Sequence, residues 1–157
     1  MSAGAERLYE ILRHVRPLHQ HSAKVVADSL AEHDVTMPMR AVLEQLGDGP
    51  RTVPQVARSL FLPRQVVQRL TDAAAALGYV RFVANPAHRR SKLAELTDRG
   101  RAVFAEIHDR ELAELGGLAD RLDPGDIAAA VRVISALTAH TREVASRRSP
   151  DQTEETR

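Results

Sequence analysis

Between Thr36 and Thr97 the chain is cut by its own turn residues into pieces too short for any large element. The order of those pieces limits what can be built from them. Gly47-Asp48-Gly49-Pro50 stops one segment, the joint at Phe61-Leu62 a second, and Gly78 a third. Asn85-Pro86 then turns the chain between two five-residue runs, Tyr79–Val83 and Lys92–Leu96, which read as strands.

Hydrophobic spacing says what lies between the turns. Thr36 can cap a short helix from Pro38 to Leu46 with Val42, Leu43 and Leu46 inward. Val53 to Leu60 reads as a helix burying Val56, Ala57 and Leu60, with Pro54 in the first turn, where a missing N–H costs little. Pro63 to Leu77 reads as another. Val66, Val67, Leu70, Ala74 and Leu77 share one side of it, and Arg64, Gln65, Gln68, Arg69 and Asp72 the other. The strands pair as a hairpin whose tip is Asn85 to Arg90, and Phe61 and Phe82 are expected in the core.

Longer helices flank this middle. From Ala5 to about Glu32, Leu8, Ile11, Leu12, Val15 and Leu18 recur at helical steps, and Val25, Val26 and Leu30 resume the pattern. Pro17 predicts a kink or restart, because it removes a hydrogen bond and crowds the preceding turn. Thr97 and Asp98 open a helix carrying Val103, Phe104, Ile107, Leu112, Leu115, Leu118 and Leu122, with Gly116-Gly117 a weak point. Asp123-Pro124 starts the last, to about Ser146, with Ile127, Val131, Ile134, Leu137 and Val144 in one stripe.

The net charge of +1 hides an asymmetry. Residues 51–101 hold ten basic against three acidic side chains, a net of +7, whereas the remainder holds twelve against eighteen, a net of −6. A basic middle between acidic flanks suits a polyanion. Helix, turn, helix, joint, helix, strand, basic loop, strand is the order of a winged helix-turn-helix. The helix from Pro63 is then the recognition helix. Arg64, Gln65, Gln68 and Arg69 face base edges, where arginine grips guanine and glutamine adenine. His88, Arg89, Arg90 and Lys92 at the wing can reach an adjacent minor groove.

Asn85-Pro86-Ala87-His88-Arg89-Arg90-Ser91-Lys92-Leu93-Ala94-Glu95-Leu96-Thr97-Asp98-Arg99-Gly100 resembles the wing signature of the MarR family of bacterial transcription regulators. Leu70-Thr71-Asp72 with Leu77-Gly78-Tyr79-Val80 is similar to that family's recognition helix and exit, and Thr36-Met37-Pro38 with Val42-Leu43 to its second helix. The resemblance covers nearly the whole chain. It implies a mainly α fold with a small β-hairpin wing, as a single domain. Dimerisation helices would occupy 5–35 and 98–146, the winged lobe 36–97, and a flexible tail 147–157. It also implies a homodimer on double-stranded DNA, acting as a repressor on an inverted repeat and released by a small aromatic or anionic effector. His21, Met37, Met39, Arg40 and Phe104 are the candidate effector contacts; Arg40 can pair a carboxylate or phenolate. The chain departs from the pattern at three places. His88 stands where an aspartate usually braces a wing arginine, Pro63 where a serine or threonine usually caps, and Pro17 within a helix more often uninterrupted.

Other classes fare worse. Without cysteine there is no disulfide framework, thiolate metal site or catalytic thiol. No nucleophile elbow, phosphate loop or paired-histidine metal motif occurs, so neither an enzyme nor a cofactor is expected. No apolar run approaches the roughly 20 residues that span a bilayer, and no signal peptide follows Met1, so a cytoplasmic protein without a membrane partner is expected. Two alternatives remain. One is a metal-responsive regulator using histidines: His14, His21 and Asp28 share a helical face, though none has zinc-site spacing, and no metal is expected. The other is a winged-helix adaptor that binds protein.

Overall fold

The structure is a computed structural model that describes residues 3–148. It divides into two compact units, one ending at Leu112 and the other beginning at Ala113. The first holds α1 (Ala3–Val25), α2 (Ala27–Ala31), α3 (Met37–Gly47), α4 (Val53–Leu60), α5 (Arg64–Ala76), β1 (Val80–Ala84) and β2 (Lys92–Leu96). It also holds most of α6 (Asp98–Ala119). The second holds the end of α6 and α7 (Pro124–Arg148).

α3, α4, α5 and the hairpin enclose the core. Val42, Leu43, Leu46, Val56, Val67, Leu96 and Ile107 are at most 2% exposed. Each full burial of such a side chain contributes about 1.5–3 kcal/mol before the entropy of ordering is set against it. β1 and β2 pair antiparallel from Val80 opposite Leu96 to Ala84 opposite Lys92. Arg51 adds a third edge that the sequence did not announce. Its N–H and carbonyl bond Ala94 at 3.0 and 2.8 Å, tying the turn before α4 to the wing.

The helix boundaries follow from caps. Thr36 Oγ1 accepts from the Met39 N–H at 3.3 Å. Thr52 and Gln55 form a reciprocal capping box, with Gln55 Oε1 accepting from the Thr52 N–H at 2.8 Å. α4 ends at Phe61, whose φ of 54° places a bulky residue in the left-handed region usually taken by glycine. This conformation closes the helix-turn-helix joint. It also leaves Phe61 51% exposed, contrary to the expectation of a core residue. Phe82 is partly buried as expected.

One expectation about the ends is corrected. α1 runs unbroken through Pro17, and the restart falls at Val26. No residue of α1 is buried, so the carbonyl that Pro17 cannot serve is open to water. The chain turns where Val26 and Leu30 enter the core. α7 includes Arg147 and Arg148; the rest of the tail expected over 147–157 lies outside the described residues. α6 continues through Gly116-Gly117 to Ala119. In the second unit, Asp123 Oδ1 accepts from the Gly125 and Asp126 N–H groups at 2.8 and 3.2 Å and so starts α7.

A compact junction joins α5, the wing and α6. Thr97 Oγ1 donates to the Gly78 carbonyl at 2.7 Å and accepts from the Gly100 N–H at 3.0 Å. Tyr79 is buried, and its hydroxyl donates to the His33 carbonyl at 2.8 Å. A Cβ on Gly100 would stand 2.0 Å from the Tyr79 carbonyl oxygen, where backbone faces backbone and neither can yield. Gly100→Ala is therefore expected to cost at least about 1–3 kcal/mol in denaturant unfolding. A Cβ on Gly47 meets only the Phe104 ring, at 3.9 Å. Gly47→Ala should stay within about 1 kcal/mol of the parent, on the stabilising side.

Candidate nucleic-acid interface

α5 starts without a side-chain cap, since its N-cap residue is Pro63. Its first turn therefore presents helix N–H groups and the positive end of the helix dipole together with Arg64 and Gln65. Val67, Thr71 and Ala74 hold the helix down by their burial. The buried Thr71 hydroxyl donates to the Val67 carbonyl at 2.7 Å and leaves no orphan. That face fixes the opposite one, so Arg64, Gln65, Gln68, Arg69 and Asp72 are exposed together.

The wing tip is shaped by Asn85. Its Oδ1 accepts from the Ala87 N–H at 3.0 Å, and its Nδ2 donates to Ser91 Oγ at 2.9 Å. These bonds close the loop that carries His88, Arg89 and Arg90, all exposed. The usual aspartate brace being absent, the loop is held by the asparagine before it.

α5 and the wing face each other across a cavity of about 430 Å³. Arg64, Gln68 and Asp72 line it from α5; Phe82, Arg90, Ser91 and Lys92 from the wing; Val53 and Pro54 from the start of α4. Four of the eight expected DNA contacts, Arg64, Gln68, Arg90 and Lys92, thus share one concave surface. Gln65, Arg69, His88 and Arg89 are exposed outside it.

Charge pairing sorts the cations of the chain, and those of the groove and wing fall on the unpaired side. Arg40, Arg51, Arg81, Arg101, Arg110 and Arg147 each face a carboxylate. Among the described residues, no carboxylate lies within ion-pair distance of Arg64, Arg69, Arg89, Arg90 or Lys92. Unpaired cations around a concavity keep their full charge for a polyanion.

The candidate effector residues are placed differently. Met39 is core, Met37 and Phe104 pack against it, and His21 is exposed on α1. Arg40 and Phe104 do meet, the guanidinium lying 5.9 Å from the ring centroid, with His108 stacked beyond it at 6.0 Å. Arg40 is already partnered, however. It donates to Glu44 at 3.1 Å and to Glu111, an acid 71 residues away that no local spacing points to. An anion arriving here competes with Glu111. Glu111→Ala should destabilise the fold by about 1–3 kcal/mol and by more than Glu44→Ala. Arg40 is 14% exposed and Glu111 18%, against 54% for Glu44. Thermal unfolding of the two variants checks this ranking.

The histidine face expected from His14, His21 and Asp28 is divided, since Asp28 belongs to α2 beyond the break at Val26. Folding instead brings Glu32, His33 and Glu106 within metal-ligand reach. Arg110 bridges both carboxylates at 2.7 Å. The Glu32 hydrogen bond and charge, followed by Glu106, hold its guanidinium pKa above the ordinary value.

Residues 33–91 match the sequence pattern of the MarR family. An uncharacterized protein of Mycobacterium tuberculosis, Rv2011c, is 35% identical over 129 residues, covering 82% of this chain and 88% of its own. The chain belongs to the MarR family. A solved MarR family transcription regulator, SP03579, is 28% identical, with a TM-score of 0.75 over 91% of this chain and 95% of that one. Its fold is thus the MarR winged helix, mostly helical with one two-stranded hairpin. The transcriptional repressor CouR, solved on a 23-mer DNA duplex, shares the fold at a TM-score of 0.66 and 23% identity, over 80% of this chain and 89% of its own. CouR from Rhodococcus jostii RHA1 has also been solved with p-coumaroyl-CoA; that structure has a TM-score of 0.72 and 18% identity, over 81% and 90% of the two chains. Within the MarR fold, the cavity described above lies between α5 and the wing. No helix among the described residues is long and apolar enough to cross a membrane.

Proposed function

We propose that the chain is a sequence-specific regulator that binds double-stranded DNA as a homodimer, represses from an inverted-repeat operator, and acts by binding and not by catalysis. The observation that carries this reading is the groove between α5 and the wing, whose three cations are all unpaired. Arg64 and Gln68 read base edges, and Arg90 and Lys92 hold phosphate or enter the minor groove. His88, Arg89, Arg69 and Gln65 flank that contact. An adaptor that binds protein has no need of uncompensated arginines beside an uncapped helix start.

The terminal helices supply the second chain's seat. Leu8, Leu12, Val15 and Leu18 on α1 are exposed, as are Val131 and Ile134 on α7. Pairing of such faces commonly buries about 2,000 Å² or more and resembles a core cut in half. Two copies related by a two-fold axis present two equivalent recognition helices, which is why the operator repeats. Light scattering at micromolar concentration should give twice the mass of one chain; a stable single chain overturns the dimer.

Fluorescence anisotropy with duplexes selected from the DNA upstream of the protein's own coding sequence tests the DNA reading. Half-site centres should lie roughly 10 base pairs apart. Arg64→Ala should relax base choice at a defined position, at a cost of about 1–3 kcal/mol. Arg90→Ala should weaken all sequences alike and lower the log–log salt slope by about one. Equal binding to every duplex, or none, overturns sequence-specific regulation and leaves the adaptor.

Release by a small aromatic or anionic ligand rests on Arg40, Phe104 and His108, where a guanidinium lies over a ring beside a displaceable acid. Salicylate-like anions should bind and weaken DNA affinity, and Arg40→Ala should abolish both effects.

A further inference from the structure

The groove holds a charge of the wrong sign. Asp72 lines it beside Arg64, Arg90 and Lys92, yet lies within ion-pair distance of none of them. An exposed carboxylate on a DNA-facing surface weakens phosphate attraction. Its partner is Gln68, one helical turn earlier, whose Nε2 donates to Asp72 Oδ1 at 2.9 Å.

That bond decides how the amide faces. An ionised carboxylate only accepts, so the nitrogen end of Gln68 must turn toward Asp72. One N–H is then committed, and Oε1 and the second N–H remain. Adenine offers N6–H as donor and N7 as acceptor in the major groove, which the remaining pair matches. Guanine offers two acceptors, O6 and N7, and sets O6 against Oε1. Thymine and cytosine each offer a single polar group, so they satisfy half the amide. A Gln68 free of Asp72 could turn both N–H groups outward and accept guanine as well.

We propose that Asp72 is a positioning residue for base choice: by holding the Gln68 amide in one orientation it makes the pair read adenine and reject guanine. This rests on the reading of α5 as the recognition helix. The bland account, an i,i+4 pair that merely supports the helix, predicts no effect confined to one base pair.

Selection from a randomised duplex library, with the full-length protein and its Gln68→Ala, Asp72→Ala and Asp72→Asn variants, separates the accounts. The parent should enrich adenine at one position per half-site. Gln68→Ala should lose that preference. Asp72→Ala should lose it at the same position and nowhere else, cutting the adenine-to-guanine ratio about fivefold or more, while affinity for random duplex holds or rises. Asp72→Asn keeps an acceptor without the charge and should retain part of the preference. An unchanged motif in Asp72→Ala overturns the proposal. So does a uniform loss at all positions, or guanine at the Gln68-dependent position. Failure of the parent to enrich any motif overturns the DNA reading itself, and the proposal with it.

Discussion

Much of the winged lobe depends on one close approach, that of Gly100 to the backbone of Tyr79. Only a residue without Cβ lets the first turn of α6 stand against the strand entry. Thr97 spans the same gap with a single hydroxyl that donates to the end of α5 and accepts from α6. The Tyr79 ring is buried, its hydroxyl reaches the joint after α2, and Arg99 lies 5.3 Å above the ring centroid. α5, the hairpin and α6 are thereby fixed to one another through a few backbone atoms. A wing can be aimed only if its base does not move, and this junction is its base.

Around that junction the two polar populations divide. Arg40, Arg81 and Arg110 are neutralised by Glu111, Glu95 and Glu32, acids that pin neighbouring segments. Their charges serve the fold and add little outward field. Arg64, Arg90 and Lys92 converge on a concavity with no such partner and carry part of the +7 excess of the middle segment. The distinction matters more than the total, because a paired arginine and a free one look alike in composition.

The terminal helices follow another logic. Their apolar stripes lie at helical spacing, yet α1 buries nothing and most of α7's apolar side chains are exposed. Each of these helices therefore presents exposed apolar side chains in a stripe, the pattern of an association face. Asp72 is the polar counterpart: a group whose cost is plain where it stands and whose use is visible only through its neighbour.

Local chemistry alone determined a good deal. α4 and β2 fall at the expected residues, and the caps at Thr36, Thr97 and Asp123 act as their types and spacing require. The unpartnered stripes and the exposed face of α5 were legible too, because period 3.6 is written residue by residue. At Pro17 the helix continues and the restart falls at Val26, because no residue of α1 is buried and the carbonyl left without a partner can meet water. Phe61 misled because it stands where the chain needs a left-handed turn, and backbone geometry there overrode hydrophobicity. The bridge of Arg51 to Ala94, the capture of Arg40 by Glu111 and of Glu32 by Arg110, and the meeting of α5 with the wing joined residues tens of positions apart. No periodicity or turn rule encodes such separations. That Arg40, Arg81 and Arg110 are spent on distant acids was therefore decided by tertiary structure, because a charge is spent or kept according to what folding brings within about 4 Å of it.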